Sequence, residues 1–483
     1  MCMRSATLML TIAMLAGGCT VGPDYVRPDP ALPGGWQADA AIAKGVTPAE
    51  SADLTEWWTQ LDDPLLTGLI AEAVAGNTDL HSAEARLREA RARRAYSAAD
   101  RFPTLEVNGS ATRTQTGEAA GGSDRTAELY AAGFDAGWEL DLFGGKRRAL
   151  EAATAELQAS EADLHDVLVS TAAEVALNYV ELRTYEQRLR VAGDNLAAQE
   201  ETYDLTRWRA MAGLTTDLDV AQALYVLEQT RAALPPLRAG AAQARNRLAV
   251  LLGLNPGALV QRLAEETPIP EAPLSIAIGV PAEVIRQRPD VRGAERRLAA
   301  QTAQVGVATA ARYPSFSLFG SIGLESLSAD RLLTSAARTS VIGGSFATTL
   351  FDAGRLRQNV EIENALQAQA FADYRSTVLT ALEDVEGALV DYANQHERRR
   401  SLQAATVAAR DATALAREQY STGLIDFQTV LDAERSRLAL DDELAVSEGE
   451  AASNLIRLYK ALGGGWRPLA MRVGAAAAGS EQP

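Results

Sequence analysis

Cysteine is almost absent from this 483-residue chain, which contains two, Cys2 and Cys19, both close to its N-terminus. Two cysteines near one end cannot cross-link a chain of this length, so a disulfide scaffold is excluded. Basic side chains are in deficit, because 46 lysines and arginines face 63 aspartates and glutamates and leave a formal charge of −17. A nucleic-acid partner would need a basic surface, and we expect none. Apolar residues make up 47% of the chain, which excludes a disordered protein.

Residues 1–18 have the features of a secretory signal peptide. Arg4 precedes an apolar stretch over 6–15, too short to span a bilayer, and small residues lead up to Cys19. This arrangement resembles the bacterial lipoprotein box, which implies a diacylglycerol and an N-acyl chain on Cys19. An ordinary signal peptide with an incidental cysteine is the alternative. Thr20 follows the cysteine where aspartate would favour inner-membrane retention in known lipoproteins, so we expect the outer membrane.

The rest of the chain contains two copies of one unit. Residues recur in the same order at an offset of roughly 210 residues, far longer than the repeats of solenoids or propellers. The matching pairs include Asp79 with Asp290, Pro103 with Pro314, Gly213 with Gly423, and Val220 with Val430. We therefore expect an N-terminal lipidated linker and equatorial segment (19–64), a first repeat (65–257), a linker (258–280), a second repeat (281–465) and a disordered tail (466–483).

Each repeat contains a predicted β-hairpin, at about 104–142 and about 315–351. Apolar and polar residues alternate in both, so each hairpin has one apolar and one polar face. Such a hairpin could cover a soluble core, but strands of about 10 residues in an exported chain are typical of a transmembrane β-barrel. Four strands cannot close a barrel in lipid. Two copies would give a filled bore, whereas three would give twelve strands and an opening, so we predict a homotrimer.

A long helical tract follows each hairpin. Apolar residues recur every seven positions, as in a coiled coil, and about 66 residues of helix would reach roughly 100 Å. Gly193 is the predicted site of a bend or break in the first tract. The tracts are predicted at Lys146 to Met211 and Leu356 to Ser421, and shorter returning helices at Asp217 to Leu252 and Phe427 to Leu462.

The N-terminal and mid-chain motifs resemble those of one family. Cys19 to Tyr25, the Trp57-Trp58 pair, Asp63-Pro64-Leu65 and Arg288 to Arg292 are similar to the TolC-like outer-membrane efflux lipoproteins of the NodT and OprM branch. The resemblance covers residues 19 to about 464. It implies a mainly α protomer whose trimer forms a twelve-stranded outer-membrane β-barrel, continuous with a long periplasmic α-helical barrel.

The resemblance also implies a function and partners. The chain would be the outer-membrane exit duct of a tripartite efflux pump, a passive channel for drugs or other small molecules, without a cofactor. A periplasmic adaptor (membrane fusion protein) would join it to an inner-membrane resistance-nodulation-division pump. The residues implied for the pore aperture are Asp432, Gln428 and Tyr420, and those implied for the adaptor-docking tips are Gly213, Leu214, Gly423 and Leu424.

Other functions are less favoured. The same fold could serve type I protein secretion, which is the nearest alternative. His81, His165 and His396 lie far apart in helical tracts, and no nucleophile elbow, phosphate loop or metal-ligand spacing accompanies them, so we expect neither an enzyme nor a metal site. Export of metal ions is less favoured, because the methionines and histidines of the chain do not form a ladder of metal ligands. A purely structural coiled coil would leave the hairpins unexplained.

Overall fold

Helices account for most of the computed structural model, which describes residues 20–30, 32–37, 46–48, 54, 56–116, 125–273, 276–278 and 281–466. The helices are α1 (Pro64–Gly76), α2 (Thr78–Ala99), α3 (Gly145–Met211), α4 (Asp217–Leu251), α5 (Pro281–Gln287), α6 (Pro289–Ala310), α7 (Arg355–Ser421) and α8 (Phe427–Ala461). The strands are β1 (Val46–Pro48), β2 (Thr104–Thr116), β3 (Arg125–Leu140), β4 (Ile276–Ile278), β5 (Ser315–Ser326) and β6 (Arg338–Ala347). Within these residues, no helix has both the length and the hydropathy needed to cross a bilayer.

The two repeats contain the same elements in the same order. In each, a 22-residue helix (α2, α6) leads into a hairpin, a 67-residue helix (α3, α7) and a 35-residue returning helix (α4, α8). At a rise of 1.5 Å per residue, each 67-residue helix is roughly 100 Å long. The sequence prediction at Gly193 was a bend or break, and a break is excluded because α3 continues through this residue without interruption. Glycine lowers helix propensity by only about 1 kcal/mol, which the flanking heptads outweigh.

The four long strands form one antiparallel sheet in the order β2-β3-β5-β6. Tyr130 pairs with Ser326 and Leu140 with Phe316, so the two hairpins join through β3 and β5. Each of the edge strands β2 and β6 has a partner on one side only among the described residues. The predicted second hairpin extended to residue 351, but β6 ends at Ala347, opposite Ser315. Pro314 precedes Ser315 and has no backbone N–H to continue the ladder.

The chain folds into two compact units, each built from segments that are distant in the sequence. The first contains the residues up to Asp29, Arg86–Glu161 and Gly293–Arg375. Within it, the Tyr25 hydroxyl donates to Glu295 at 2.6 Å, and burial together with this carboxylate raises the pKa of Tyr25. The N-terminal segment is thereby attached to α6. The predicted signal, Cys19 and the tail from residue 467 lie outside the described residues.

The second unit contains Pro30–Ala85, Ala162–Arg292 and the chain from Ser376 onward. Its core includes Trp57, which is 1% exposed and stacks on Tyr459 at 5.5 Å. The Arg288 guanidinium donates to the Ala461 carbonyl at 2.7 Å and pairs with Asp384 at 3.0 Å, so it ties the junction between α5 and α6 to α7 and α8. Trp466, which the sequence prediction placed in the disordered tail, stacks on His165 with a centroid distance of 4.3 Å.

Candidate pore aperture and docking turns

Two tight turns join the long helices to the returning helices. Gly213, between α3 and α4, has φ +72°, and Gly423, between α7 and α8, has φ +77°. The Leu214 N–H donates to the Arg209 carbonyl at 2.8 Å. In the second turn, the Leu424 N–H likewise donates to the carbonyl five residues before it, at 2.9 Å. These are Schellman-type helix ends, which need a left-handed residue. Leu214 and Leu424 are 68% and 76% exposed, so both turns present an apolar side chain to solvent.

Each returning helix begins with a capped N-terminus. Thr216 and Asp219 form a reciprocal capping box on α4. Asp426 caps α8 by accepting from the Thr429 N–H at 2.9 Å, and the Thr429 hydroxyl and N–H lower the pKa of Asp426. The caps satisfy backbone donors that the turns leave free, and thus fix where each returning helix starts.

Asp432 lies on the exposed face of α8, in the second turn of the helix. Its carboxylate accepts from the Gln428 amide at 3.0 Å and pairs with Arg435 at 3.4 Å. The Arg435 guanidinium lies 5.7 Å from the ring centroid of Tyr225 on α4. The structure therefore brings two of the three predicted aperture residues, Asp432 and Gln428, together. It adds Arg435, which compensates part of the carboxylate charge.

Tyr420, the third predicted aperture residue, is buried. Its ring packs on Phe427 at 5.3 Å, and the Arg209 guanidinium of α3 lies 4.6 Å from its centroid. The family resemblance implies a bond from this tyrosine that holds the inner and outer helices together when the aperture is shut. Its hydroxyl has no hydrogen-bond partner among the described residues, so the observed link to α3 is a cation–π contact instead.

A buried carboxylate holds α8 to its neighbours beneath the turns. Glu434 is 4% exposed, and its Oε1 accepts from the Arg417 Nη2 of α7 at 2.7 Å and from the Thr202 hydroxyl of α3 at 3.0 Å. Sequence reasoning missed this network. The only trace of this network in the sequence is that an arginine and a glutamate lie on the two helices that flank a predicted turn.

Two further ion pairs act on the same helix. Asp441, also 4% exposed at its side chain, accepts from the Arg410 Nη2 of α7 at 2.7 Å. Arg188 of α3 donates to both carboxylate oxygens of Asp442, at 2.7 and 3.1 Å. An apolar cluster fills the space between the four helices near the turns. Its buried members are Ala223, Val226, Ala416, Tyr420, Phe427, Val430 and Leu431.

The histidines do not form a site. His165 lies on α3 against Trp466, His396 on α7 against Tyr392, and His81 on α2. In the part of the chain that the structure describes, no group of three or more His, Cys, Asp or Glu side chains could hold a metal ion.

A family model for "Outer membrane efflux protein" matches the chain twice, over residues 69–254 and 280–464. These two segments cover most of the chain, one in each repeat. The chain belongs to the outer membrane efflux protein family.

Individual relatives agree with the family assignment. The chain is 31% identical to Nodulation protein T of Rhizobium leguminosarum bv. trifolii, over 95% of this chain and 97% of that one. It is also 31% identical to the outer membrane protein OprJ of Pseudomonas aeruginosa, over 95% of each. The solved structure of the outer-membrane channel OprN matches with a TM-score of 0.88 and 40% identity, over 93% of this chain and 100% of that chain.

The comparisons confirm four sequence predictions, namely the family, the fold class, the outer-membrane location and the function as an efflux channel. The fold is mainly α, with four strands contributed to a β-barrel. The relatives favour efflux over protein secretion. Members of this family are outer-membrane efflux ducts.

Proposed function

We propose that three copies of this efflux protein form one duct through the outer membrane and periplasm, with a closable aperture at the turns. The observation that carries the proposal is the four-stranded sheet, which has an apolar face and an open edge on each side. Open edges in lipid leave backbone groups unpaired at several kcal/mol each, so β6 of one copy pairs with β2 of the next. Three sheets of four strands give a barrel wide enough to conduct.

The long helices support a periplasmic extension with docking turns. Each is roughly 100 Å long, begins within eight residues of a sheet strand and ends at an exposed turn. We propose that the six turns of a trimer contact a periplasmic adaptor, through Leu214 and Leu424, and that the adaptor joins the duct to an inner-membrane pump of the resistance-nodulation-division class.

Acyl chains on Cys19 add a second membrane anchor beside the β-barrel. The variant Cys19→Ser is expected to lose lipid labelling and still to assemble.

The aperture is assigned to α8. Three copies of Asp432 on the trimer axis form an acidic ring, and Arg435 neutralises part of it while Gln428 orients it. The apolar cluster and the Glu434 network keep α8 against α3 and α7, which corresponds to the closed state. Drugs or other small molecules pass when these contacts release.

Planar-bilayer recording of the full-length protein tests the aperture. Asp432→Ala is expected to raise the resting conductance and reduce the preference for cations, since the variant loses both the ring charge and its pairing with Arg435. Gln222→Ala is the matched control, because Gln222 holds the equivalent position on the returning helix of the first repeat. An assembled Asp432→Ala trimer with wild-type conductance and selectivity would remove Asp432 from the aperture.

A further inference from the structure

A groove lies on the apolar face of the sheet, toward the end of the strands that leads into the two hairpin loops. Its volume is about 620 Å³, within the range of about 300–1,000 Å³ that ligand sites in proteins have. Side chains from two successive rows on this face form its walls, because residues that pair directly across an antiparallel sheet point to the same side. They are Val107, Phe134 and Ile322 in one row, and Ala132, Leu324 and Arg338 in the next.

Arg338 is the only charged residue among the described residues that line the groove. It is the first residue of β6 and pairs with Leu324. Its side chain has no hydrogen bond, salt bridge or cation–π contact within the part of the chain that the structure describes. Arg113, which lies on the same face farther toward the loops, is paired with Glu128 at 3.6 Å. Arg338 therefore lies on an apolar surface without a counter-charge from its own chain.

The strand that β6 meets in the proposed barrel does not supply that counter-charge. The residues of β2 on this face are Leu105, Val107, Gly109, Ala111, Arg113 and Gln115. Glu106, the acidic residue of β2, lies on the opposite face. The edge strand of the next copy therefore adds arginine, and no carboxylate, to the surface beside Arg338.

The rows of the sheet place Arg338 at one border of the apolar band. At the other border, next to the helices, Phe316 stacks on Phe346 with a centroid distance of 6.1 Å. The Arg338 row lies eight residues along β5 from Phe316, or roughly 20 Å along the axis of a barrel with tilted strands. Tyr130 lies on the same face one row farther, as an aromatic girdle requires. A lipid-facing arginine is costly at the midplane of a bilayer but is tolerated at this depth, where lipid headgroups lie.

We propose that Arg338 and the groove bind a membrane lipid that carries a phosphate headgroup. The guanidinium donates to the phosphate, whose geometry suits arginine, and one acyl chain lies in the groove against Phe134 and Ile322. With the long helices in the periplasm, the loop end of the strands faces the cell exterior, so the lipid belongs to the outer leaflet. The site rests on the proposed function, because it requires the apolar face to contact lipid.

Native mass spectrometry of the full-length, delipidated trimer with added diphosphoryl lipid A tests the site. The wild type is expected to bind one lipid for each chain. Arg338→Gln is expected to raise the Kd about fivefold, since it removes the charged donor to the phosphate. Ala132→Phe keeps Arg338 but fills the groove with a larger apolar side chain, and is expected to raise the Kd by a similar factor.

Arg331→Gln is the matched control, because Arg331 carries the same charge in the loop between β5 and β6 and does not line the groove. It is expected to leave the Kd unchanged. An equal loss of affinity in Arg331→Gln, wild-type affinity in Arg338→Gln or Ala132→Phe, or equal affinity of the wild type for lipid A and for phosphate-free dioleoylglycerol would overturn the proposal. The protein mass in the same spectra shows whether the trimer has formed, and a failure of the trimer would instead contradict the proposed function.

Discussion

Glu434 is a buried carboxylate that links α8 to α7 and α3. One oxygen of its buried carboxylate accepts from Arg417 and Thr202, and the other has no partner among the described residues. A buried charge is tolerated only while its partner remains, because removal of one member leaves the other desolvated and uncompensated. Loss of the contact between Arg417 and Glu434 is therefore expected to destabilise the packing of α8.

A double-mutant cycle on this pair tests that dependence. Glu434→Leu is expected to lower the free energy of unfolding by about 2 kcal/mol, and adding Arg417→Leu is expected to restore most of the loss. Glu418→Leu, an exposed position on α7, is the control and should change stability by less than about 0.5 kcal/mol. Thermal unfolding of the purified assembly measures these variants together with Arg417→Leu alone, which completes the cycle. Additive effects of the two leucines would show that the pair is not coupled.

His165 gives the second unit a dependence on pH. Burial and the nearby Arg292 guanidinium lower its pKa from 6.5 to about 4. The unfolded chain takes up a proton near pH 6.5 while the folded protein does not, so stability is complete above pH 6.5 and falls as the pH decreases to about 4.

His165→Phe is expected to flatten this part of the pH profile. The phenyl ring keeps the stack on Trp466 but does not titrate. After allowance for solvent screening at a half-buried site, the wild type should lose about 1 kcal/mol more than the variant between pH 7 and pH 4. Thermal melts at a series of pH values give the comparison. Parallel profiles for the two proteins would exclude His165 as the cause.

The sequence placed Asp432 and Gln428 close together but did not reveal the contacts of Glu434 and Tyr420 with the neighbouring helices. Asp432 and Gln428 meet because they lie four residues apart on one helix, and this spacing is visible in the sequence. The partners of Glu434 and the burial of Tyr420 depend on packing between four helices, and a single sequence does not specify which faces meet.

At the scale of elements, the two turn glycines and Gly193 have opposite roles. Gly213 has a positive φ with no heavy atom within 4 Å of a Cβ built on it, so a side chain there is penalised by backbone strain alone. Gly193 lies inside α3, and a Cβ there also meets open space. The backbone conformation, and not the available room, therefore separates the two positions.

Alanine at the two positions should change stability in opposite directions. Gly213→Ala is expected to cost about 1 kcal/mol, and Gly193→Ala to gain about 0.5–1 kcal/mol by raising helix propensity. Gly213→Val should in addition reduce cross-linking to the adaptor. Thermal unfolding and cross-linking of the same preparations check both effects. Equal stability changes at the two sites would contradict the assigned turn geometry.

Periodicity predicted the elements well where the period was long and regular. Heptad spacing placed α3 and α7 to within one residue at each end, because many positions contribute to the signal. It failed at the end of β6, where the strand stops for lack of a pairing partner beyond Ser315. The end of a strand depends on where its neighbouring strand ends, and the periodicity of one segment does not show this.

At the scale of the whole molecule, the open edges of the sheet require other copies of the chain. The apolar face places Leu105, Val107, Phe134, Ile322 and Ile342 on one side of the sheet, all exposed in a single chain. A soluble monomer rarely leaves so large an apolar surface uncovered. Lipid covers the face and neighbouring copies cover the edges when three sheets close together.

The mass of the full-length assembly, extracted from outer membranes and measured by native mass spectrometry, tests the central claim most directly. We expect a single species of three chains, each carrying acyl chains at Cys19. The same preparation should form cation-preferring channels in a planar bilayer. A monomeric or dimeric species that keeps its secondary structure after extraction would contradict the account, because its strand edges would remain open.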